Sequence, residues 1–278
     1  MSADAVAAKH VTAIRERASV LLGPDHVGVG PAILGTLDEY GGVHGLALLA
    51  FADPTGDGSP DHSVDAAAAI ELAWGAASHL SHVGDRPVTA EAIGQNMSSL
   101  LATDWSLVTA LMAAVPLGAG EVSTFVQLIR RTWDAEMLVR RGRIATADDY
   151  LRQVVHPNAS VLGFATRVGA CLAGADRDAE RRAKAFGNDL GMALYVADEI
   201  VAFVSDSESA ASSDQRALGY PELCMQDGRG LEWAARTCER YVREASVWIR
   251  RMGTGDANGL LHALTELPLA RVRASAAY

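Results

Sequence analysis

Lysine is almost missing from this sequence: Lys9 and Lys184 are its only two, so arginine carries nearly all of the positive charge. That imbalance reads as genomic composition bias ahead of function. The 24 basic residues are outnumbered by 34 acidic ones, for a net charge of −10. Such a balance sets aside nucleic acid and anionic membrane surfaces as default partners. Cysteine is scarce as well. Cys171, Cys224 and Cys238 are odd in number, widely spaced and in no CxxC or zinc pattern, which points to buried thiols in a reducing compartment. Aromatics make up only 6% although 49% of residues are hydrophobic; alanine and leucine carry the apolar content, and that favours helix over sheet. Runs of Val, Ile, Thr and aromatics with period-two alternation are missing, so no strand is expected. The N-terminus has no apolar signal-like segment. No apolar run reaches transmembrane length without interruption. A soluble, cytoplasmic protein is the expectation.

What is present is helical. At 278 residues the chain can bury a substantial core, and with no repeat and no clear linker it is expected to form one all-α domain over residues 1–278. The stretch Ala66 to Asp85, AAAAIELAWGAASHLSHVGD, predicts a long, nearly uncharged helix with Glu71 near its start and Asp85 at its end. His79 and His82 sit one turn apart on it. A helix apolar on all sides belongs in the centre of a helical domain. Phe186 to Phe203, FGNDLGMALYVADEIVAF, echoes it, with Asp198 and Glu199 near its end. Two buried helices carrying carboxylates are how a bundle builds a site between its walls.

Around these two, apolar spacing predicts a helix from Val6 to Leu22, stopped by Gly23-Pro24. A further helix is expected near Ile33 and a short apolar one from Leu46 to Ala52. Asp53 to Ser63 reads as a loop, Ser63 being the expected N-cap of the central helix. After Pro87, Thr89 caps a helix containing Ala92 to Met97, and a separate apolar stretch runs from Ser98 to Val115. Glu121 to Arg140 is amphipathic. Thr146 to Asp149 resembles a capping box, His156-Pro157 is expected to interrupt the following helix, and Ala159 to Ala173 resumes it. Asp176 to Lys184 is a charged helical entry to the second organising stretch. Ser205 to Asp214 reads as a polar, mobile loop, and Glu232 to Met252 and Leu260 to Val272 close the chain as helices.

Five segments in this order resemble the trans-isoprenyl diphosphate synthases, the polyprenyl synthetase family, close in fold to the class I terpene synthases. Ala66 to Asp85 is similar to that family's E-L-x-H-x-x-x-L-x-H-D-D-x-x-D helix. Leu101 to Leu107, LATDWSL, resembles its LAGDxLL segment. Thr146 to Leu162 is similar to eeYlxxixxKTaxLf, Gly169 to Gly174 to GaxlaG, and Phe186 to Ala202 to fGxxlGxafQixDDxxD. The resemblance covers about Tyr40 to Met225 and implies the all-α isoprenoid synthase helical bundle. In that family two DDxxD motifs hold three Mg²⁺ ions that grip an allylic diphosphate, and basic residues neutralise the remaining phosphate charge.

The departures from that pattern are systematic. The first DDxxD falls on Ser81-His82-Val83-Gly84-Asp85, which keeps only its last acid, and the second on Asp198-Glu199-Ile200-Val201-Ala202, which loses its last. The Gln before the second motif is Tyr195. The GKRxRP phosphate grip falls on Gly41-Gly42-Val43-His44-Gly45 and the KT pair on Pro157-Asn158, neither with a cation; the Arg pair after the first motif is reduced to Arg86. The resemblance therefore places any residual metal on Asp85, Asp198, Glu199 and His82, with Mg²⁺ binding expected to be weak or absent. His79, His82 and Asp85, at i, i+3 and i+6, share one helix face. Arg86 is the candidate for diphosphate. Trp74, Ala76, Ala77, Ser81, Trp105 and Tyr195 are the candidates for an apolar substrate cavity, with Trp74, Trp105, Trp133 and Tyr195 able to face a cation with their rings. Ala76 and Ala77 stand where the family sets chain length by side-chain bulk. Arg130, Arg131, Arg140, Arg141 and Arg143 read as a solvated basic face.

Ordinary chain elongation is not expected from so depleted a site. The resemblance implies a non-catalytic or regulatory subunit of a heteromeric prenyl diphosphate synthase. The alternatives are a repurposed prenyltransferase or terpene cyclase with a non-standard metal site, or a carrier of an apolar isoprenoid. The expected ligand is a prenyl diphosphate or other apolar isoprenoid, and the expected partner a second copy or an intact prenyl synthase, with no nucleic acid and no membrane span.

Overall fold

The computed structural model describes residues 2–23, 31, 33–35, 37, 41–60, 62–81, 89–144, 146–208, 230–252 and 259–276. Among these no strand occurs, and the chain is all-α as its composition predicts. The principal helices are α1 (Ala3–Leu22), α2 (Val43–Ala52), α3 (Ser63–Ser81), α4 (Ala90–Ala114), α5 (Ala119–Arg140), α6 (His156–Leu172), α7 (Arg177–Glu208), α8 (Gly230–Met252) and α9 (Gly259–Ala276).

The longest helix, α7, is the spine: α6, α8 and α9 all pack along it, while α2 bridges α3 and α6. The glycines of the Phe186 to Ala202 motif explain the closeness of α6 and α7. A Cβ on Gly191 would lie 2.7 Å from the Ala159 carbonyl oxygen, and one on Gly187 would strike Thr166 and the Leu162 carbonyl. Only hydrogen fits there. Thr166 Oγ1 donates across the same seam to the Ala183 carbonyl at 2.7 Å, so a polar side chain inside the core is satisfied rather than stranded. On the other side of α6, Phe164 stacks on Phe125 of α5 with ring centroids 5.4 Å apart and planes at 3°. Such a pair adds about 0.5–1.5 kcal/mol beyond the area it buries.

Several boundaries differ from the sequence reading. Ser63 is the first residue of α3 rather than its cap, and its hydroxyl donates to the Pro60 carbonyl at 2.5 Å. The stretches on either side of Ser98 form one helix, α4, because nothing between them breaks the ladder. Asp176 to Lys184 does form the helical entry to the Phe186 to Phe203 stretch, with Asp176 Oδ1 accepting from the Ala179 N–H at 2.7 Å, but α7 continues past Phe203 to Glu208. Residues 205–208 are therefore helical, and 209–214 of the expected loop lie outside the described residues.

His156-Pro157 does not interrupt the chain. Thr146 caps as expected, Oγ1 accepting from the Asp149 N–H at 3.1 Å, and opens a turn over Ala147–Tyr150. Leu151–Val155 then widens into a π-turn that runs directly into α6. Pro157 follows directly on that π-turn, where the His156 N–H reaches back five residues to the Leu151 carbonyl, and the wider turn makes room for the proline ring.

Candidate functional site

The site begins at a glycine turn. Gly41 and Gly42 have φ of +69° and +60°, a left-handed geometry that side chains resist, and they aim the first turn of α2 into the interior. All residues of α2 except Phe51 are buried. The orphan N–H groups of that first turn need acceptors, and α3 supplies one. Glu71, 3% exposed, accepts the Gly45 N–H with Oε1 at 2.6 Å. Its Oε2 faces His44 Nδ1 at 3.8 Å. A carboxylate at a helix N-terminus is favoured by the macrodipole as well as by the hydrogen bond. A side chain at Gly45 would be crowded: a Cβ there would lie 2.9 Å from Ile14 Cδ1 and 3.1 Å from the Ala67 carbonyl oxygen of α3.

His44 is itself buried, and its ring lies against Trp74 with centroids 4.4 Å apart and planes at 40°. His44 Nδ1 and Trp74 Nε1 are both buried without a hydrogen-bond partner in the described structure. These two rings form one wall of a cleft with about 350 Å³ of non-atom space, part of it open to solvent. The other walls are Val43, Asn158 and Leu162, then Gly191, Leu194, Tyr195 and Asp198 of α7.

This cleft gathers positions that lie far apart in the chain. His44 stands in the segment resembling the first phosphate grip, Asn158 in the KT pair, Tyr195 at the motif Gln and Asp198 at the first acid of the second motif. The structure thus converges three altered motif positions and one retained acid on one cavity. None of the lining residues is Lys or Arg. Asn158 turns its amide back on its own helix, donating from Nδ2 to the Val154 carbonyl at 2.7 Å. Asp198 Oδ1 accepts from Arg271 Nη1 of α9 at 2.5 Å. The fully buried Tyr150 hydroxyl is held well above its ordinary pKa, by burial first and then by the electrostatic influence of Glu199 and Tyr195.

Of the cavity candidates, Trp74 and Tyr195 line the cleft. Ala76 is buried inside α3 and Ala77 half-buried, and neither lines it. Trp105 is a correction: at 44% exposed it lies on the outer surface of α4, because the inward positions of that helix are taken by small residues. Trp133 is half-buried and packs against the apolar core. Ser81 ends α3, its side chain outside the described residues, as are His82, Asp85 and Arg86 altogether. Arg130 and Arg140 form surface pairs with Asp134 and Glu136 one turn away, in keeping with a solvated basic face. Among the described residues, no group of three His, Cys, Asp or Glu gathers in a way that could hold a metal ion, and Asp198 already carries a guanidinium. The described side chains do not fit a three-metal cluster.

Arg271 went unforeseen. It lies 73 residues from Asp198 and in none of the recognised motifs, so no sequence signal marks it. The Glu71–Gly45 contact was legible only in part, as a lone acid on an apolar helix.

No family model matches the chain. Nonaprenyl diphosphate synthase of Mycobacterium tuberculosis is 30% identical over 122 residues, which cover 41% of this chain and 35% of that protein. The mitochondrial solanesyl-diphosphate synthase 1 of rice, Oryza sativa subsp. japonica, is 29% identical over 118 residues, 41% of this chain and 27% of its own length. The chain thus spans about a third of the length of the curated relatives it matches. Solved structures align over nearly its whole length. Geranylgeranyl pyrophosphate synthase from Lactobacillus brevis gives a TM-score of 0.73 at 18% identity, covering 94% of this chain and 95% of that one. The Corynebacterium glutamicum enzyme of the same name gives 0.71 at 20% identity, covering 97% and 93%. The chain has the all-α isoprenoid synthase fold, and the resemblance to trans-isoprenyl diphosphate synthases read from its motifs is borne out.

Proposed function

We propose that this chain is a divergent polyprenyl synthetase homologue in isoprenoid metabolism that serves as a non-catalytic, regulatory subunit of a prenyl diphosphate synthase. One observation carries the reading. The positions resembling both phosphate grips and the second acidic motif converge on a single cleft whose lining holds no cation and whose acid is tied to Arg271. A diphosphate entering it meets Asp198 and, behind His44, the carboxylate of Glu71. Each cation–phosphate contact missing from such a grip forgoes roughly 1.5–3 kcal/mol, the usual value of a hydrogen bond to a charged group. Losing several of them together removes the ground for ionising an allylic diphosphate.

The test is an assay with Mg²⁺, isopentenyl diphosphate and allylic diphosphates of several lengths. The isolated chain is expected to make no product, and when mixed with an intact polyprenyl synthase it is expected to change that enzyme's product length or rate. Product formed by the isolated chain overturns the reading, as does an intact synthase left unchanged.

A repurposed cyclase is the second reading, favoured by the aromatic lining of His44, Trp74 and Tyr195, whose π faces suit a cationic or polyene ligand. Cyclised product from the isolated chain would select it.

A further inference from the structure

Most cations of this chain are answered by an acid. Nine described arginines lie within ion-pair distance of a carboxylate, most of them one turn away on their own helix. Among the described residues, Arg131 of α5 and Lys184 of α7 are exceptions. The acids one turn from them are already engaged: Asp134 faces Arg130 at 3.8 Å, and Glu180 faces Arg167 at 3.9 Å.

The two charges converge on one strip of α6. His156, Ser160, Gly163 and Arg167 follow one another at helical spacing. They lie between the side of α6 that meets α5 through Phe164 and the side that meets α7 through Ala159 and Thr166. Arg167 spans the strip at one end, donating from Nη1 to Glu121 of α5 at 3.0 Å and facing Glu180 of α7. Both neighbouring helices therefore border it. Lys184 follows Glu180 by one turn, and its carbonyl lies 3.1 Å from where a Cβ on Gly163 would stand. Helix α5 runs antiparallel to α6, Glu121 against Arg167 and Phe125 against Phe164, which brings Arg131 level with the start of α6. There Ser160 Oγ donates to the His156 carbonyl at 2.7 Å and lies 3.5 Å from the ring Nδ1, so the imidazole is turned along the strip.

The electrostatics agrees with this placement. Burial first, and then the charges of Arg131 and Lys184, hold the His156 imidazole below 6.5, with no carboxylate opposing them. All three side chains remain accessible to solvent. Guanidinium, ammonium and imidazole on three rigid helices, over a floor of Ser160 and Gly163, are the donors an oxyanion needs. Glu121 and Glu180 close the Arg167 end, so the basic zone suits one small anion rather than an extended acidic chain. Asn158 and Leu162, which line the cleft, stand on nearly the opposite side of α6.

We infer that this strip, walled by Arg131, His156 and Lys184, is a seat for a single phosphoryl oxyanion on the outside of the bundle, separate from the cleft. The inference is independent of how the cleft is read. Free phosphate and a phosphate monoester offer the same chemistry, and the experiment separates them. In nuclear magnetic resonance spectra of the purified full chain, the His156 ring signal is identified by its loss in His156→Gln. Its titration midpoint is expected to rise when inorganic phosphate or glycerol 3-phosphate replaces chloride at matched ionic strength, since a dianion beside the ring favours its protonated form. The larger response at equal concentration assigns the free ion or the ester as the source, and either supports the seat. The double variant Arg131→Gln, Lys184→Gln is expected to weaken binding on the order of tenfold for each charge removed. Without phosphate it is also expected to move the His156 midpoint up toward 6.5. A wild-type midpoint that neither anion moves beyond chloride overturns the inference. So does a response that survives in the double variant with helix content unchanged.

Discussion

His156 shows how one residue couples the helical frame to pH. It opens α6 beside the π-turn, with its backbone carbonyl accepting from Ser160 Oγ at 2.7 Å. Burial first, then the charges of Arg131 and Lys184, hold its imidazole below the ordinary value of 6.5. The unfolded chain therefore takes up the proton at higher pH than the folded one. The stability tied to the neutral ring is present above about pH 6.5 and is lost as pH falls through the lower, folded value. Replacing His156→Gln is expected to narrow the gap between melting temperatures measured at about pH 7.5 and about pH 5.5. A gap as wide as that of the wild type would show that other groups set the acid sensitivity. Glu71 and Asp198 are the residue-scale lesson of the site. Both are acids that the sequence marks on apolar helices, yet one serves a helix N-terminus and the other an arginine.

At the scale of the helix, glycine has opposite meanings in different places. In α7, Gly191 faces backbone of α6 at contact distance, so a methyl group must push the two helices apart. Gly191→Ala is expected to cost about 1–3 kcal/mol by urea denaturation, as overpacking does. Gly120, in the first turn of α5, has nothing within 4 Å of where a Cβ would stand. There Gly120→Ala is expected to stabilise by up to about 1 kcal/mol, through reduced freedom of the unfolded chain. Equal effects at the two sites would refute the close-packing account of α6 and α7. Helix α4 makes the complementary point: its pattern of apolar residues is as regular as that of a core helix, but the regular side is the outer one.

At the scale of the molecule, three apolar clusters among the described residues share their helices. Val161, Phe164 and Val168 of α6 belong to the first, Leu162 to the second and Ala159 to the third, while α7 supplies Leu190 to the second and Val196 to the third. No cluster can come apart without exposing a helix that another depends on. The five tryptophans, Trp74, Trp105, Trp133, Trp233 and Trp248, report from α3, α4, α5 and α8. Far-ultraviolet circular dichroism and tryptophan fluorescence are expected to give coincident urea transitions, the signature of one cooperative unit. Separate midpoints would divide the chain into two domains.

The sequence by itself determined the helical class, the order of the main helices and the five-segment likeness, because periodicity, breakers and motif spacing are local and survive in one dimension. It also marked Trp74, Tyr195 and Asp198, which the fold does bring to one cleft. It placed Trp105 beside them, since an aromatic in a recognised motif looks the same whichever way its helix is rolled. Only the tertiary structure decided that roll, which depends on what small residues α3 presents to α4. Only it decided, too, that Pro157 could sit within a continuous helical run, because the π-turn's width is set by what packs around it. And only it paired Asp198 with Arg271 and Glu71 with the Gly45 N–H, contacts made across 73 and 26 residues of chain. Long-range electrostatic partners leave no spacing in the sequence, and both of these acids are held by groups that only the folded chain brings near.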